Sequence, residues 1–417
     1  MKLVTAAGAA ALVAISGPLA LAEDLTLCHR GVSAYKSGDL KLAIEHYSRC
    51  LDAGNLDIGN RSTALSNRGV AYHQSGLYDQ AIADYDLAID LDPSFASAYG
   101  KRALAYHAKG ENETAIEDLD RAIGLNPNAP VHYNNRGLVR YDMGAYDRAI
   151  TDYDRALSLA PNYATALNNR GGAYSAKGLQ EKAIADFDQA LRLDPNYASA
   201  YNNRGNAFNA KGEYDRAIAD FDEALLIEPE HAGALNNRGN AYFNKGNYDR
   251  AVTDYNEALR VDPDLHKAIG NRGQAHFFRG RFDPAASDFK RYFDLRQGDP
   301  YPAIWLFLAK ARGGQQDARQ VLRSATAGMS LDRWPGPVIK MYLGELDTEA
   351  VYDLADANAT RDHEERRAEA YFYVGQQELL AGKFASAQRS FEMVLAIGAT
   401  GSIEYYAARA ELRRIGE

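Results

Sequence analysis

Arg68, Arg102, Arg136, Arg170, Arg204, Arg238 and Arg272 recur every 34 residues, and sixteen residues after each stands an aspartate: Asp84, Asp118, Asp152, Asp186, Asp220, Asp254 and Asp288. A guanidinium offers a rigid fork of donors that carboxylates and phosphates accept in pairs, so an unaccompanied row of arginines would read as an anion receptor. The equal number of aspartates predicts instead a partly buried ion-pair ladder between helices. One place ahead of the arginines stand Asn67, Asn135, Asn169, Asn203, Asn237 and Asn271, with Lys101 breaking the series. A carboxamide carries one acceptor and two donors, which suits an extended peptide backbone, so this row forms the candidate peptide-binding groove. The bland alternative is a set of solvated residues or links between neighbouring helices. Six rungs at about 1 kcal/mol each scarcely offset the cost of association, so specificity has to come from other groove side chains such as His73, His107, Tyr141, Phe243 and Phe277.

Other apparent sites dissolve on inspection. Asp84-Tyr85-Asp86 and its copies mimic a metal-binding pair. On a helix, though, residues two apart point away from each other, so no metal and no cofactor is expected. The nine histidines lack ligand spacing, and no nucleophile motif or glycine-rich phosphate loop occurs. A net charge of −9 without a clustered basic footprint argues against nucleic acid as a partner. Cys28 and Cys50 are the only cysteines. If the chain is exported they form a disulfide candidate that would staple the first repeat, two buried thiols being the alternative.

The element that must position these rows is a 34-residue unit, beginning near Asp24 and then at Ser62, Ala96, Pro130, Ala164, Ala198, Ala232 and His266. Each unit carries a glycine at its fifteenth place (Gly76 to Gly280), the residue suited to leaving a helix. A second helix is ended by Asp92-Pro93 and its copies down to Asp262-Pro263. Gly or Ala at the eighth place is expected to face Ala at the twentieth, while large residues at the twenty-fourth (Tyr85, Leu119, Tyr153, Phe187) fill the space to the next unit. A repeat of this length, with these residues in phase, resembles the tetratricopeptide repeat (TPR). The resemblance implies an all-α fold: a right-handed superhelix of helix-turn-helix hairpins, about eight of them over residues 23–299. The asparagine row also resembles the ladder that lines the TPR superhelix of the nucleocytoplasmic sugar transferases, where it holds substrate peptide.

After Pro300 the period is lost. Helical segments are predicted at about 302–312, 315–327, 337–343 and 348–358 within an irregular stretch, 300–367. A TPR-like hairpin and a closing helix then follow over 368–417. Trp305-Leu306-Phe307-Leu308-Ala309, Trp334, Tyr342-Leu343-Gly344 and Tyr371-Phe372-Tyr373-Val374-Gly375 resemble the new lipoprotein I family of bacterial envelope TPR proteins. That family is a lipid-anchored, dimeric adaptor presenting a cell-wall hydrolase to a tail-specific protease, which implies envelope partners and a homodimer here. This chain has no lipid-attachment cysteine and more regular repeats.

Residues 1–22 have the layout of a secretory signal peptide: Lys2, an Ala/Val/Leu-rich run, a break at Gly17-Pro18 and a small-x-small site at Ala20-Leu21-Ala22. An uncleaved anchor is the alternative. No later stretch is apolar enough to span a bilayer. The expectation is therefore a periplasmic protein, not lipid-anchored and not an enzyme, that binds one or more envelope proteins as extended or helical segments. The alternatives are a structural subunit of a secretion or polysaccharide-export assembly, and a ligand-binding or enzymatic C-terminal module.

Overall fold

The computed structural model describes residues 22–53, 56–357, 363–398 and 402–416. The signal-peptide reading of residues 1–22 falls, but for its last residue, outside the described residues. Every described secondary-structure element is a helix, and the contacts divide the chain into two compact units, residues 1–211 and 212–417.

The first unit holds α1 (Ala22–Lys36), α2 (Leu40–Asp52), α3 (Ile58–Gln74), α4 (Tyr78–Leu91), α5 (Ala96–Ala108) and α6 (Asn112–Leu125). It continues with α7 (Pro130–Asp142), α8 (Tyr146–Leu159), α9 (Ala164–Ala176), α10 (Gln180–Leu193) and α11 (Ala198–Ala210). Successive pairs from α1/α2 to α9/α10 are hairpins, each stacked on the next. In the second unit come α12 (Tyr214–Ile227), α13 (Ala232–Asn244), α14 (Tyr248–Val261), α15 (His266–Phe278) and α16 (Phe282–Leu295). Then follow α17 (Pro300–Arg312), α18 (Ala318–Ala325), α19 (Gly336–Leu343), α20 (Thr348–Asp356), α21 (His363–Leu380), α22 (Phe384–Ile397) and α23 (Ile403–Gly416).

The first helix of each hairpin stops because the chain turns left-handed. In the α9–α10 turn Gly178 has φ +77°, and the Leu179 amide donates to the Tyr174 carbonyl at 2.9 Å, closing a Schellman-type end. The second helix stops one residue before proline, with Asp194 already extended at φ −135°. One start differs from the sequence expectation: α3 begins at Ile58, four residues before Ser62, because Asp57 accepts the Asn60 amide at 2.7 Å and caps the helix there.

Packing inside a hairpin adds a contact to the expectation. The ring at place twenty-four reaches the next unit, Phe187 packing with Ala207 and Tyr153 with Ala173, and it also lies over the glycine at place eight of its own hairpin. A Cβ on Gly171 would sit 2.7 Å from the Phe187 ring, and one on Gly137 2.6 Å from Tyr153. The repeat starting at Ala96 has Ala103 at that place, and there the partner is the smaller Leu119, both fully buried. Volume is conserved across the contact. Past α16 the core is carried by Trp305, whose ring meets those of Phe277, Phe289 and Phe372, and by Tyr342, whose hydroxyl donates to the Tyr373 carbonyl at 2.8 Å.

Candidate protein-binding surface

The arginines sit on the first helix of each hairpin and reach in two directions. Arg170 donates from Nε and Nη2 to Asp186 of its own hairpin (2.8 and 2.7 Å) and from Nη1 to Asp154 of the preceding one (2.6 Å). Arg102 does the same with Asp118 and Asp86, Arg136 with Asp152 and Asp120, and Arg238 with Asp254 and Asp222. Arg272 takes Asp288 and Asn256, Arg204 bonds Asp188, and Arg68 takes Asp84 with the Ser48 hydroxyl as its second acceptor. Asp220 is buried in the second unit. The Asp-x-Asp pairs set aside as metal mimics are thus the two ends of this bracing: divergent side chains on one helix serve arginines of two different repeats. Around Asp84, burial pushes the carboxyl up more than Arg68 holds it down, whereas Arg68 itself is raised by the bond to Asp84. The Asp84 carboxylate is almost fully buried and bears most of the desolvation of the pair, while the guanidinium keeps about a fifth of its side chain in solvent.

The asparagine row is placed differently from the groove-lining expectation. Asn67, Asn135, Asn169 and Asn203 are nine-tenths or more buried, and Asn237 and Asn271 are half-buried. Asn169 Nδ2 donates to Asn134 Oδ1 at 3.1 Å, Asn203 to Asn168 at 3.0 Å, and Asn271 to Asn236 at 3.0 Å, each across 35 residues. The carboxamides lock the first helices of successive hairpins together. The reason is their height on the helix: this place faces the neighbouring first helix, where an unpaired amide would be costly and a second asparagine satisfies it. Lys101 follows the same rule, donating to the Ser66 hydroxyl at 3.1 Å while only 7% exposed. Burial pushes its ammonium down to about 8.

Among the side chains expected to give specificity, Phe243 and Phe277 are buried at the aromatic end of the second unit, packed on Phe278 and on Tyr248 or Trp305. In the first unit His73, His107, Tyr141 and Ser175 occupy the same place and line the ends of the first helices. Tyr141 stacks at a tilt on Tyr146 (5.3 Å), and with Asp142, Ser175 and Ala176 they enclose an open recess of about 440 Å³. His107 bonds Asp142 at 3.0 Å and Asn112 at 2.8 Å; the bond to Asp142 raises its imidazole above the ordinary value.

A second concavity, of about 320 Å³, lies in the second unit between Tyr301, Trp305, Glu369 and Glu404. Tyr301 and Trp334 donate to Glu369 (3.0 and 2.6 Å) and Tyr373 donates to Glu404 (3.2 Å); burial raises both carboxyls. Cys28 and Cys50, on α1 and α2, are joined as a disulfide with Cα atoms 5.3 Å apart. Among the described residues no group of three or more His, Cys, Asp or Glu is arranged to hold a metal, and no helix is long and apolar enough to cross a membrane.

Comparison with known proteins follows the repeat. The family described as TPR repeat matches residues 69–110, 103–144, 137–178, 171–210 and 205–246, and that described as Tetratricopeptide repeat matches 232–265. A curated relative, the Lipoprotein NlpI homolog of Haemophilus influenzae, is 28% identical over 129 residues, 30% of this chain. The chain spans about two-fifths (41%) of that relative's length. Solved structures that resemble it include a tetratricopeptide repeat protein from Parabacteroides merdae (20% identical, TM-score 0.49, 60% of this chain and 97% of that one). Another is YrrB, a TPR protein with an unusual peptide-binding site (24% identical, TM-score 0.35, 44% and 95%). The repeats from residue 69 to residue 265, and with them the all-helical hairpin fold, belong to the tetratricopeptide repeat family of protein-binding scaffolds.

Proposed function

We propose that this protein is a non-catalytic adaptor of the bacterial cell envelope, exported by the leader at residues 1–22 and not lipid-anchored, that holds segments of envelope proteins on the first unit. The observation that carries the reading is the contrast between rows on the first helices. The arginines, aspartates and asparagines are consumed in bracing one repeat against the next. The places left to a partner are the helix ends around His73, His107, Tyr141 and Ser175, where Tyr141 and Tyr146 wall an open recess. Mixed aromatic and polar walls of this kind suit a protein segment better than a charged small molecule. Resemblance of the C-terminal part to new lipoprotein I supports the envelope setting and a homodimer, and the partial match to the Lipoprotein NlpI homolog of Haemophilus influenzae agrees with the envelope setting. The experiment places a photo-cross-linking residue at Tyr141, at Ser175 and, on the opposite kind of surface, at Leu226, which is 76% exposed. Cross-linking in cells to the same envelope protein from the first two places alone is the expected result. Equal capture from Leu226, or none from Tyr141 and Ser175, overturns the proposal.

A further inference from the structure

The second unit carries its own ligand on the row of turns. Tyr406 of α23 bonds the hydroxyl of Tyr214 at 3.0 Å, at the start of α12. One turn of hairpin further on, Arg413 Nη1 lies 3.5 Å from where a Cβ on Gly246 would stand. Arg414 then donates from Nη2 to the carbonyls of Phe278 (2.8 Å) and Phe277 (3.4 Å), at the C-terminal end of α15, with its guanidinium over the Phe282 ring. An arginine at a helix C-terminus meets carbonyls that have no partner within the helix and the negative end of the dipole. One helix therefore reads successive repeats with a tyrosine and, seven and eight residues later, two arginines.

The same row in the first unit is bare. A Cβ on Gly110, Gly144 or Gly178 would meet nothing within 4 Å. The counterparts of Phe243, Asn244, Tyr248, Phe277 and Phe278 are Tyr141, Asp142, Tyr146, Ser175 and Ala176, the walls of the 440 Å³ recess. Two changes distinguish them. Ala176 is exposed and small where Phe278 fills the space, so the recess is open. Asp142, 40% exposed, stands where Asn244 does, adding a carboxylate beside the helix end. Both changes favour an incoming cation with room for its stem.

We propose that the turn row around Tyr141, Asp142, Tyr146 and Ala176 docks a helix of a partner protein that presents an aromatic residue followed two turns later by arginine, seated as α23 seats itself on the second unit. The arginine donates to the Ala176 carbonyl that ends α9 and pairs with Asp142, while the aromatic residue, seated as Tyr406 is on Tyr214, reaches the start of α6, where Asn112 stands in the place of Tyr214. This rests on the adaptor reading above and names the chemistry of the segment held.

The probe is a fluorescein-labelled peptide of residues 403–416, titrated into the full-length protein at low salt. Saturable binding with Kd on the order of 100 µM is expected, as fits a short helix that must order on docking. Ala176→Phe, which fills the recess as Phe278 does, and a peptide carrying Arg413→Ala and Arg414→Ala should each weaken binding about ten-fold. Tyr248→Ala in the second unit should leave it unchanged. Absence of saturable binding at millimolar peptide, or binding that ignores Ala176→Phe and falls with Tyr248→Ala, overturns the proposal. Concentration-dependent dimerisation of the intact chain that is lost on Ala176→Phe also overturns it, by assigning the row to a second copy. A cross-link from Tyr141 without peptide binding leaves the adaptor reading standing and removes only this one.

Discussion

Replacing Lys101 by methionine should stabilise the first unit at neutral pH, and the size of the effect follows from its surroundings. Lys101 is 7% exposed, and burial pushes its ammonium from 10.5 down to about 8. The difference of about 2.5 units corresponds to a penalty of about 3 kcal/mol for keeping the charge inside. Methionine removes that penalty, keeps the length of the stem, and forfeits the bond to Ser66, worth about 1 kcal/mol. The net expectation is a gain of about 2 kcal/mol at pH 7. The sign with pH runs one way. The folded-state value lies below the unfolded one, so between about 8 and 10.5 the unfolded chain holds more protons, and wild-type stability recovers as pH rises through that window. Below 8 the penalty is fully present. Urea unfolding of wild type and Lys101→Met, compared at each pH from 6 to 10, should give a difference that is constant below about pH 7.5 and shrinks toward zero by pH 10. Because a repeat array need not unfold in one step, amide exchange in α3 and α5 should report the same difference locally. A variant less stable than wild type at pH 7, or a difference that does not change with pH, would refute the reasoning.

Three further outcomes follow from the packing. Arg170→Ala leaves the buried Asp186 without its cation and should cost about 2–4 kcal/mol in urea unfolding, with Arg170→Lys recovering only part because an ammonium cannot fork to both Asp186 and Asp154; a loss under about 0.5 kcal/mol would dismiss the ladder as structural. Gly171→Ala puts a Cβ 2.7 Å from the Phe187 ring and should cost about 1–3 kcal/mol, largely restored by adding Phe187→Leu, the combination already present as Ala103 and Leu119; additive losses would count against it. Replacing Cys28 and Cys50 together by serine opens a cross-link across 22 residues and should lower the stability of α1 and α2 by about 3 kcal/mol, seen as faster amide exchange there and not in α9, with equal exchange as the contrary result.

Much of the scaffold is legible because the repeat keeps its length. With both helices constant, the starts of α5, α7, α9, α11, α13 and α15 fall where the 34-residue period puts them. A fixed separation also makes the pairing of Arg170 with Asp186 readable. Asp154, the second acceptor, is not, because judging Asp152 and Asp154 as one pair on one helix shows only their divergence; the signal lies across repeats, in that Asp86, Asp120, Asp154, Asp188 and Asp222 each precede an arginine by sixteen residues. The asparagine row fails for a related reason. Chemistry alone cannot say which face of a helix a carboxamide takes, and the decisive residue is its neighbour one place ahead, since Asn134, Asn168 and Asn236 are the acceptors. Phe243 and Phe277 leave the groove because Trp305 and α23 lie beyond the last regular repeat, where no period foretells them.

The break in the asparagine row marks the weakest joint of the first unit, and this can be tested by repairing it. Where α9 and α11 each bond an asparagine of the preceding first helix, α7 meets Gly100, which offers no side chain to Asn135. His132 has moved into the space: a Cβ on Gly100 would lie 2.7 Å from His132 Nδ1, an atom that is buried without a hydrogen-bond partner. The other regular repeats place alanine where His132 stands, as at Ala166 and Ala200. A lost bond and an unsatisfied imidazole thus fall on one interface, each costing about 1–3 kcal/mol. Gly100→Asn alone should destabilise, because the new side chain strikes the histidine, and His132→Ala alone should open a small cavity beside the glycine. Together they recreate the arrangement of the neighbouring interfaces, so the double variant should be more stable than wild type by about 1 kcal/mol, a coupling of several kcal/mol relative to the singles. Losses that simply add would show that the interface tolerates the gap, and that the asparagine bonds contribute register more than stability.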